Sequence, residues 1–329
     1  MKKAQKKWLL IILQIAITVF FLYLTFHNTQ FHALGAAVAN INYWLVCLTL
    51  IPQLIIFFLL AAREKCLLQK IHPFHFRDLF EGAVIGFVGN NVLPFRGGEF
   101  LKVLYWSKRS SKSYVSLLSV ALIERLLDLA CLIFLFFVGS KSILTKLGVD
   151  ITWVIAVFIG VVLFMLLLIF LDWKYKREFA LHKSIQVVFG HSITHWCNDF
   201  LNKVMQGIRI LGDFKNIFFA LCFTIAYWLV TMGIVVMLLY AFHLTVMWQE
   251  VIVIVLATSF GSAIPAAPGY IGTFDYFSKM SLVLYGVSAS VAASFAIVSH
   301  VILMVPFTIL GILFVYPVLK RLMKSPASR

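Results

Sequence analysis

A chain of 329 residues with 62% hydrophobic and 12% charged side chains, and a mean hydropathy of +0.98, is too apolar for a water-soluble domain. Its formal net charge of +15 would point to nucleic acid on a soluble surface, but no stretch is polar enough to fold into such a domain. A polytopic membrane protein with its cations on one face, against anionic inner-leaflet lipid, accounts for the charge and leaves no role for nucleic acid.

The first apolar run, 8–26, follows a basic start and resembles a signal peptide, with Ala37-Val38-Ala39 as a cleavage-like triplet. The run is long enough to span and the triplet lies well beyond it, so a retained first helix is expected. Further apolar runs near the ~20 residues needed to cross ~30 Å of hydrocarbon lie at 41–62, 114–138, 152–171, 216–242 and 287–316. Two other apolar regions, 79–108 and 249–285, are broken in the middle by Pro94/Gly97/Gly98 and by Pro265/Pro268/Gly269/Gly272. Each leg has about 15 residues, or ~20 Å of helix, which passes the bilayer midplane without crossing. Both are read as re-entrant hairpins; the alternatives are short tilted spans, ten in all, or packing kinks between bundled helices.

Lysine and arginine placement orients this layout. Of 28 such residues, 23 fall in segments assigned to the cytoplasm, among them Lys2, Arg63, Lys65, Lys70, Lys102, Arg109 and Lys320. Only Lys141 and Lys146 fall on the opposite face, and Arg96, Arg125 and Lys279 lie within membrane segments. Both termini are thereby assigned to the cytoplasm, the first hairpin entering from that side and the second from the other. The order span, span, hairpin, span occurs twice with three crossings each time, which inverts the second copy. The predicted fold is an all-α polytopic membrane protein of six full spans and two re-entrant helical hairpins in two inverted-topology repeats. The first repeat is 1–145; the second is 146–171 with 216–329; a cytoplasmic linker occupies 172–215. The hairpin tips should meet near the midplane, where transporters of this construction bind substrate. Within the linker, 178–211 repeats apolar residues at helical period and reads as an interfacial amphipathic helix. Its His191 and His195 lack a third ligand nearby and read as interfacial polar residues, and the five scattered cysteines form no metal or disulfide pattern.

Charged residues inside hydrocarbon need partners, at ~2.5–3.5 kcal/mol each on insertion scales. In 114–138, Glu124 and Asp128 share a helix face and Arg125 can reach Asp128. Two readings stand side by side: a static ion-pair network, and contact with a substrate. In the stretch from Asn90 to Glu99, the returning leg begins at Gly97 and Gly98 just after Arg96, so a helix N-terminus and a bidentate guanidinium converge on a place for an anion. Glu99 is expected near Arg96, as its resting counter-charge or as a proton carrier, and Asn90 and Asn91 are expected to bond the loosened backbone. In the second hairpin, Gly269 and Gly272 lead into Asp275, which can cap the returning leg or meet substrate, with Lys279 one turn on. His300, alone among apolar residues of the last span, reads as a packing histidine with a proton relay as the alternative.

Asn91-x-x-Pro94-x-Arg96-Gly97-Gly98-Glu99, then Glu124-Arg125-x-x-Asp128, then Pro265-x-x-Pro268-Gly269-x-x-Gly272, resembles the lysylphosphatidylglycerol synthetase transmembrane (flippase-like) family over nearly the whole chain. Members often have Glu at the end of the last motif, where this chain has Asp275. The resemblance implies a protein of the bacterial cytoplasmic membrane that moves a polar lipid between leaflets, and translocation without the synthase activity of bifunctional members. The substrate-binding set expected on these grounds is Asn91, Arg96, Gly97, Gly98, Glu99, Glu124, Arg125, Asp128, Gly269, Gly272 and Asp275. A cationic headgroup could meet Glu99, Glu124, Asp128 or Asp275. No ATP-binding loop occurs and no cofactor is expected. The rivals are an ion-coupled transporter of a small soluble anion, and an intramembrane lipid-modifying enzyme using Glu99, Glu124 or Asp128 as acid or base, for which no nucleophile or metal set stands out. The sequence leaves the oligomeric state open, a homo-oligomer included.

Overall fold

The computed structural model of the protein describes residues 2–147, 197–245 and 247–324, with isolated residues between 152 and 170. The predicted span 152–171, apart from those positions, and linker residues 172–196 with His191 and His195 lie outside the described residues.

The described chain is helical throughout: α1 (Lys2–Phe26), α2 (Phe31–Ala39), α3 (Tyr43–Leu48), α4 (Leu50–Leu68), α5 (Phe76–Val92), α6 (Gly97–Ser110), α7 (Tyr114–Leu147), α8 (Phe214–Ala241), α9 (Trp248–Ala263), α10 (Thr273–Val283) and α11 (Ala289–Lys324). Among the described residues three helices are long and apolar enough to cross a membrane: Tyr43–Leu68 (α3 and α4 run on through Thr49), Phe214–Ala241 and Ala289–Val318. A fourth crossing is available if α1 and α2, bent by 80° where Asn28 takes a left-handed φ of 59°, act as one. Leu9, Ile12 and Val19 of α1 and Leu310 and Leu313 of α11 are more than half exposed, an outer surface suited to lipid rather than water. The protein is therefore a multi-pass helical membrane protein.

Both broken regions form helical hairpins. In the first, α5 and α6 lie against each other across the turn Pro94–Arg96, and glycine sets their distance. A Cβ on Gly98 would stand 1.9 Å from the Gly86 carbonyl oxygen, and one on Gly89 would stand 2.4 Å from Gly98 Cα, so neither position admits a side chain at this spacing. In the second, α9 and α10 are joined through 264–272, which contains the turn Pro268–Tyr270. The two tips touch: the Arg96 guanidinium lies over the Tyr270 ring, 5.5 Å from its centroid, and a cavity of about 130 Å³ sits between the turns.

Side-chain caps start several helices. Asn42 accepts the Leu45 N–H at 3.2 Å, Asp213 accepts that of Asn216 at 3.2 Å, and Glu250 accepts that of Met247 at 2.9 Å. Of the predicted amphipathic stretch, helical residues 197–208 and the turn Arg209–Gly212 are described. Met205, Ile208, Ile210 and Leu211 are buried, and Gly207 meets the start of α7 so closely that a Cβ would stand 2.4 Å from the Ser116 carbonyl oxygen. This end of the linker is thus packed into the bundle instead of lying only on a lipid surface.

Candidate functional site

Helices α4, α6 and α7 bring seven charged side chains together. Arg63 of α4 forks onto two carboxylates of α7, donating from Nη1 to Asp128 at 2.6 Å and from Nη2 to Glu124. The i, i+4 spacing of Glu124 and Asp128 is what lets one guanidinium hold both. Lys102 of α6 donates to Glu64 and to Glu124, both at 3.0 Å, and stands 3.2 Å from Glu99. Arg125 lies 3.2 Å from Glu99, 3.1 Å from Glu124 and 3.2 Å from Asp128. Tyr227 of α8 sits under Arg63 at 5.9 Å, and Trp106 under Lys102 at 5.1 Å.

Two sequence expectations change here, and Lys279, for which only the spacing from Asp275 is read from the sequence, finds its partners on another element. Arg63 and Lys102 were assigned to the cytoplasm, yet both are buried, and they anchor the network together with Glu64, which no sequence motif singled out. Glu99 does not neutralise Arg96; its carboxylate is held by Lys102 and Arg125. Lys279 does not pair with Asp275 one turn away. Its ammonium reaches α1 instead, donating to the carbonyls of Thr25 at 2.6 Å and His27 at 2.9 Å, where a helix C-terminus leaves acceptors free. The pairing of Arg125 with Asp128 and the shared face of Glu124 and Asp128 stand as the spacing predicts.

The network forms one wall of a cavity of about 580 Å³ closed by α8, α9, the second tip and the start of α10, where Thr258, Ser259, Ser262, Tyr270 and Phe274 also line it. Exposure divides the charges. The side chains of Arg63, Glu64, Lys102 and Glu124 are at most 4% exposed, whereas Glu99 is 22% and Arg125 41% exposed. The first four are bracing; Glu99 and Arg125 face the open space. Arg96 also lines it, from a left-handed backbone position with φ 53° at the tip of the first hairpin. Its Nε is buried without a hydrogen-bond partner, and among the described residues no carboxylate comes within ion-pair distance of it. One cation is left over at the mouth of a network that otherwise balances itself to within one charge.

The remaining predicted residues divide between packing and a second cleft. Gly98 is spent on the α5–α6 contact and Gly97 lies against Leu93. Gly272, with φ 87°, faces α1, where a Cβ would stand 2.7 Å from the Thr18 carbonyl oxygen. Asn91 donates to Thr308 at 2.8 Å. Asp275 accepts the Gly272 N–H at 2.9 Å, the capping role open to it, and also meets His300 Nδ1 at 2.7 Å. His300 Nε2 lies 2.8 Å from the carbonyl oxygen of Gly269. Asn91, Gly269, Asp275 and His300 line a cleft of about 390 Å³ on the far side of the second tip, between α1 and α11. The role of Arg63 and Lys102 could have been suspected from one signal: three carboxylates in apolar segments demand cations beyond Arg125.

A family model described as the lysylphosphatidylglycerol synthase TM region matches residues 11–311. Among curated proteins, a UPF0104 membrane protein of Methanothermobacter thermautotrophicus is 24% identical over 254 residues, which cover 74% of this chain and 74% of that protein.

Proposed function

Because the chain belongs to the family of the lysylphosphatidylglycerol synthase TM region, we propose that it moves a phosphate-bearing polar lipid between the leaflets of its membrane, without changing it covalently. The observation that carries this reading is Arg96. A guanidinium with no carboxylate counter-charge among the described residues, stacked on Tyr270 and open to a cavity of about 580 Å³, is suited to a phosphate, which it can grip with two parallel N–H groups. Glu99 and Arg125, the two exposed members of the network, lie on the same wall and would meet the rest of the headgroup, a zwitterionic one included. The buried members would hold that wall rigid.

In this reading the chain has six spans and two re-entrant hairpins in inverted repeats, with both termini in the cytoplasm. The hairpin tips form the partition that the headgroup passes while the acyl chains stay in the bilayer. The contact of Arg96 with Tyr270 supports the meeting of the tips that inversion requires. The serine and threonine hydroxyls of α9 supply weaker polar contacts opposite the charges.

The test is leaflet exchange of a fluorescent phospholipid in liposomes holding the purified protein. R96A should slow exchange by about tenfold or more, the equivalent of one charge-assisted hydrogen bond, and R96K should recover part of the rate. Exchange unchanged in R96A would remove Arg96 from the mechanism. Exchange of entrapped inorganic phosphate in the same liposomes, with lipid exchange absent, would favour the small-anion transporter.

A further inference from the structure

His300, Asp275 and the tip of the second hairpin share a hydrogen-bond arrangement that fixes a proton count. The Gly269 carbonyl oxygen can only accept, so the 2.8 Å contact requires a hydrogen on His300 Nε2. A neutral imidazole has one N–H, and it is then used. The 2.7 Å contact between Nδ1 and Asp275 Oδ1 needs a second proton, carried by the ring or by the carboxyl. Asp275 Oδ2 already accepts the Gly272 N–H. Both bonds therefore exist only while the pair holds one proton more than a neutral imidazole and a carboxylate. If that proton leaves to water, the remaining ring hydrogen can serve Asp275 or Gly269, and a lone pair faces an oxygen on the other side.

The surroundings make the pair decisive for the tip. The turn Pro268–Tyr270 is the wall between the two open spaces: Tyr270 and Phe274 line the central cavity, while Gly269, Asp275 and His300 line the outer cleft. Asp275 and His300 are the titratable residues among those lining the cleft. On neighbouring elements, α10 carries Lys279, engaged with the end of α1; the tip carries Tyr270, turned to Arg96; α1 carries His27, its ring 5.4 Å from that of Tyr23. α5 offers the neutral Asn91, and the Phe274 ring lies 4.9 Å from the imidazole. Among the described residues that line the cleft, no other charge is available to replace the proton.

We propose that Asp275 and His300 form a proton-binding site that latches the second hairpin tip to α11, so that release of the proton frees the wall between the central cavity and the outer cleft. The coupling ion of the protein is then H⁺. Its use in lipid movement rests on the translocation reading; the latch does not.

Amide hydrogen exchange of the full-length protein in nanodiscs, expressed as protection factors for 265–272, reads the latch without any substrate. Across the range in which imidazoles titrate, from about pH 5 to about pH 9, protection of this segment should fall by about tenfold as one hydrogen bond is lost. In D275N the amide oxygen can still accept from Gly272 and the amide nitrogen can donate to Nδ1 of a neutral ring, so protection should stay high across the same range. Wild-type protection that does not change with pH would overturn the proposal, as would D275N titrating like wild type. The wild-type series decides alone if D275N does not fold. Titrating protection with no lipid exchange would leave the latch in place and defeat the translocation reading.

Discussion

Removing Lys102 isolates one carboxylate, and the geometry says which. In K102M, Glu124 keeps Arg63 and Arg125, and Glu99 keeps Arg125, but Glu64 has no second cation within 4 Å among the described residues. Glu64 is 2% exposed, so water cannot take over. Breaking a buried pair by deleting one partner costs about 3–5 kcal/mol, most of it the penalty on the charge left behind. K102M should lose that much in reversible unfolding in mixed micelles, and K102M/E64Q should recover more than half of the loss, because the stranded charge is gone. The exposed pair Lys70–Asp213, 3.3 Å apart with Lys70 46% exposed, gives the contrast: K70M should cost less than about 1 kcal/mol. The reasoning fails if K102M costs no more than K70M, or if adding E64Q to K102M gives no recovery.

Exposure should also separate E99Q from E124Q: the first should slow lipid exchange while changing stability by less than about 1 kcal/mol, and the second should lose several times that in the same unfolding assay. G98A, which drives a methyl into the Gly86 carbonyl, should destabilise the α5–α6 hairpin by about 3 kcal/mol or more, whereas G35A in α2, with nothing within 4 Å, should be neutral or slightly stabilising, both read by thermal unfolding. Asp213 caps α8, and the Asn216 N–H it accepts holds its carboxyl below the usual range. Its stabilising contribution is therefore full at neutral pH and is lost as pH falls through the lowered value, so the stability difference between wild type and D213N should shrink on acidification.

The helices and both hairpins were readable because hydropathy and Pro/Gly breaks are local properties: the runs at 41–62, 216–242 and 287–316 became helices, the first and last running on to Leu68 and Lys324, and each broken region became a hairpin. The meeting of the tips was expected from an inverted reading of the two halves, and the contact of Arg96 with Tyr270 is the part of that expectation the structure displays. The bracing of the site was not. Arg63 sits one residue past an apolar run and Lys102 in the first half of a hairpin leg, and a cation at either place serves equally well as a snorkelling residue; only the approach of α7 distinguishes the two. Gly98 was assigned to an anion site because a helix starts there, and the structure gives it to packing because Gly86 lies opposite. His300 looked solitary because its partners, Asp275 and Gly269, are 25 and 31 residues away in sequence.

The grip of Lys279 on the end of α1 bears on the order in which the protein is made. α1 precedes α10 in the chain, yet the lysine that occupies its last carbonyls is 254 residues further along, and the backbone N–H that the Thr18 hydroxyl accepts belongs to Ala267. Gln30 likewise waits for Ser290. A helix made before α10 is thus fixed in place only after it, and until the second hairpin arrives the C-terminal end of α1 lacks the ammonium that binds its carbonyls and keeps only local bonds such as that from the Thr29 hydroxyl to the Thr25 carbonyl. A nascent chain arrested before Lys279 should hold α1 in the membrane by hydropathy alone, free to tilt and turn, and synthesis of α10 should be the event that sets its orientation.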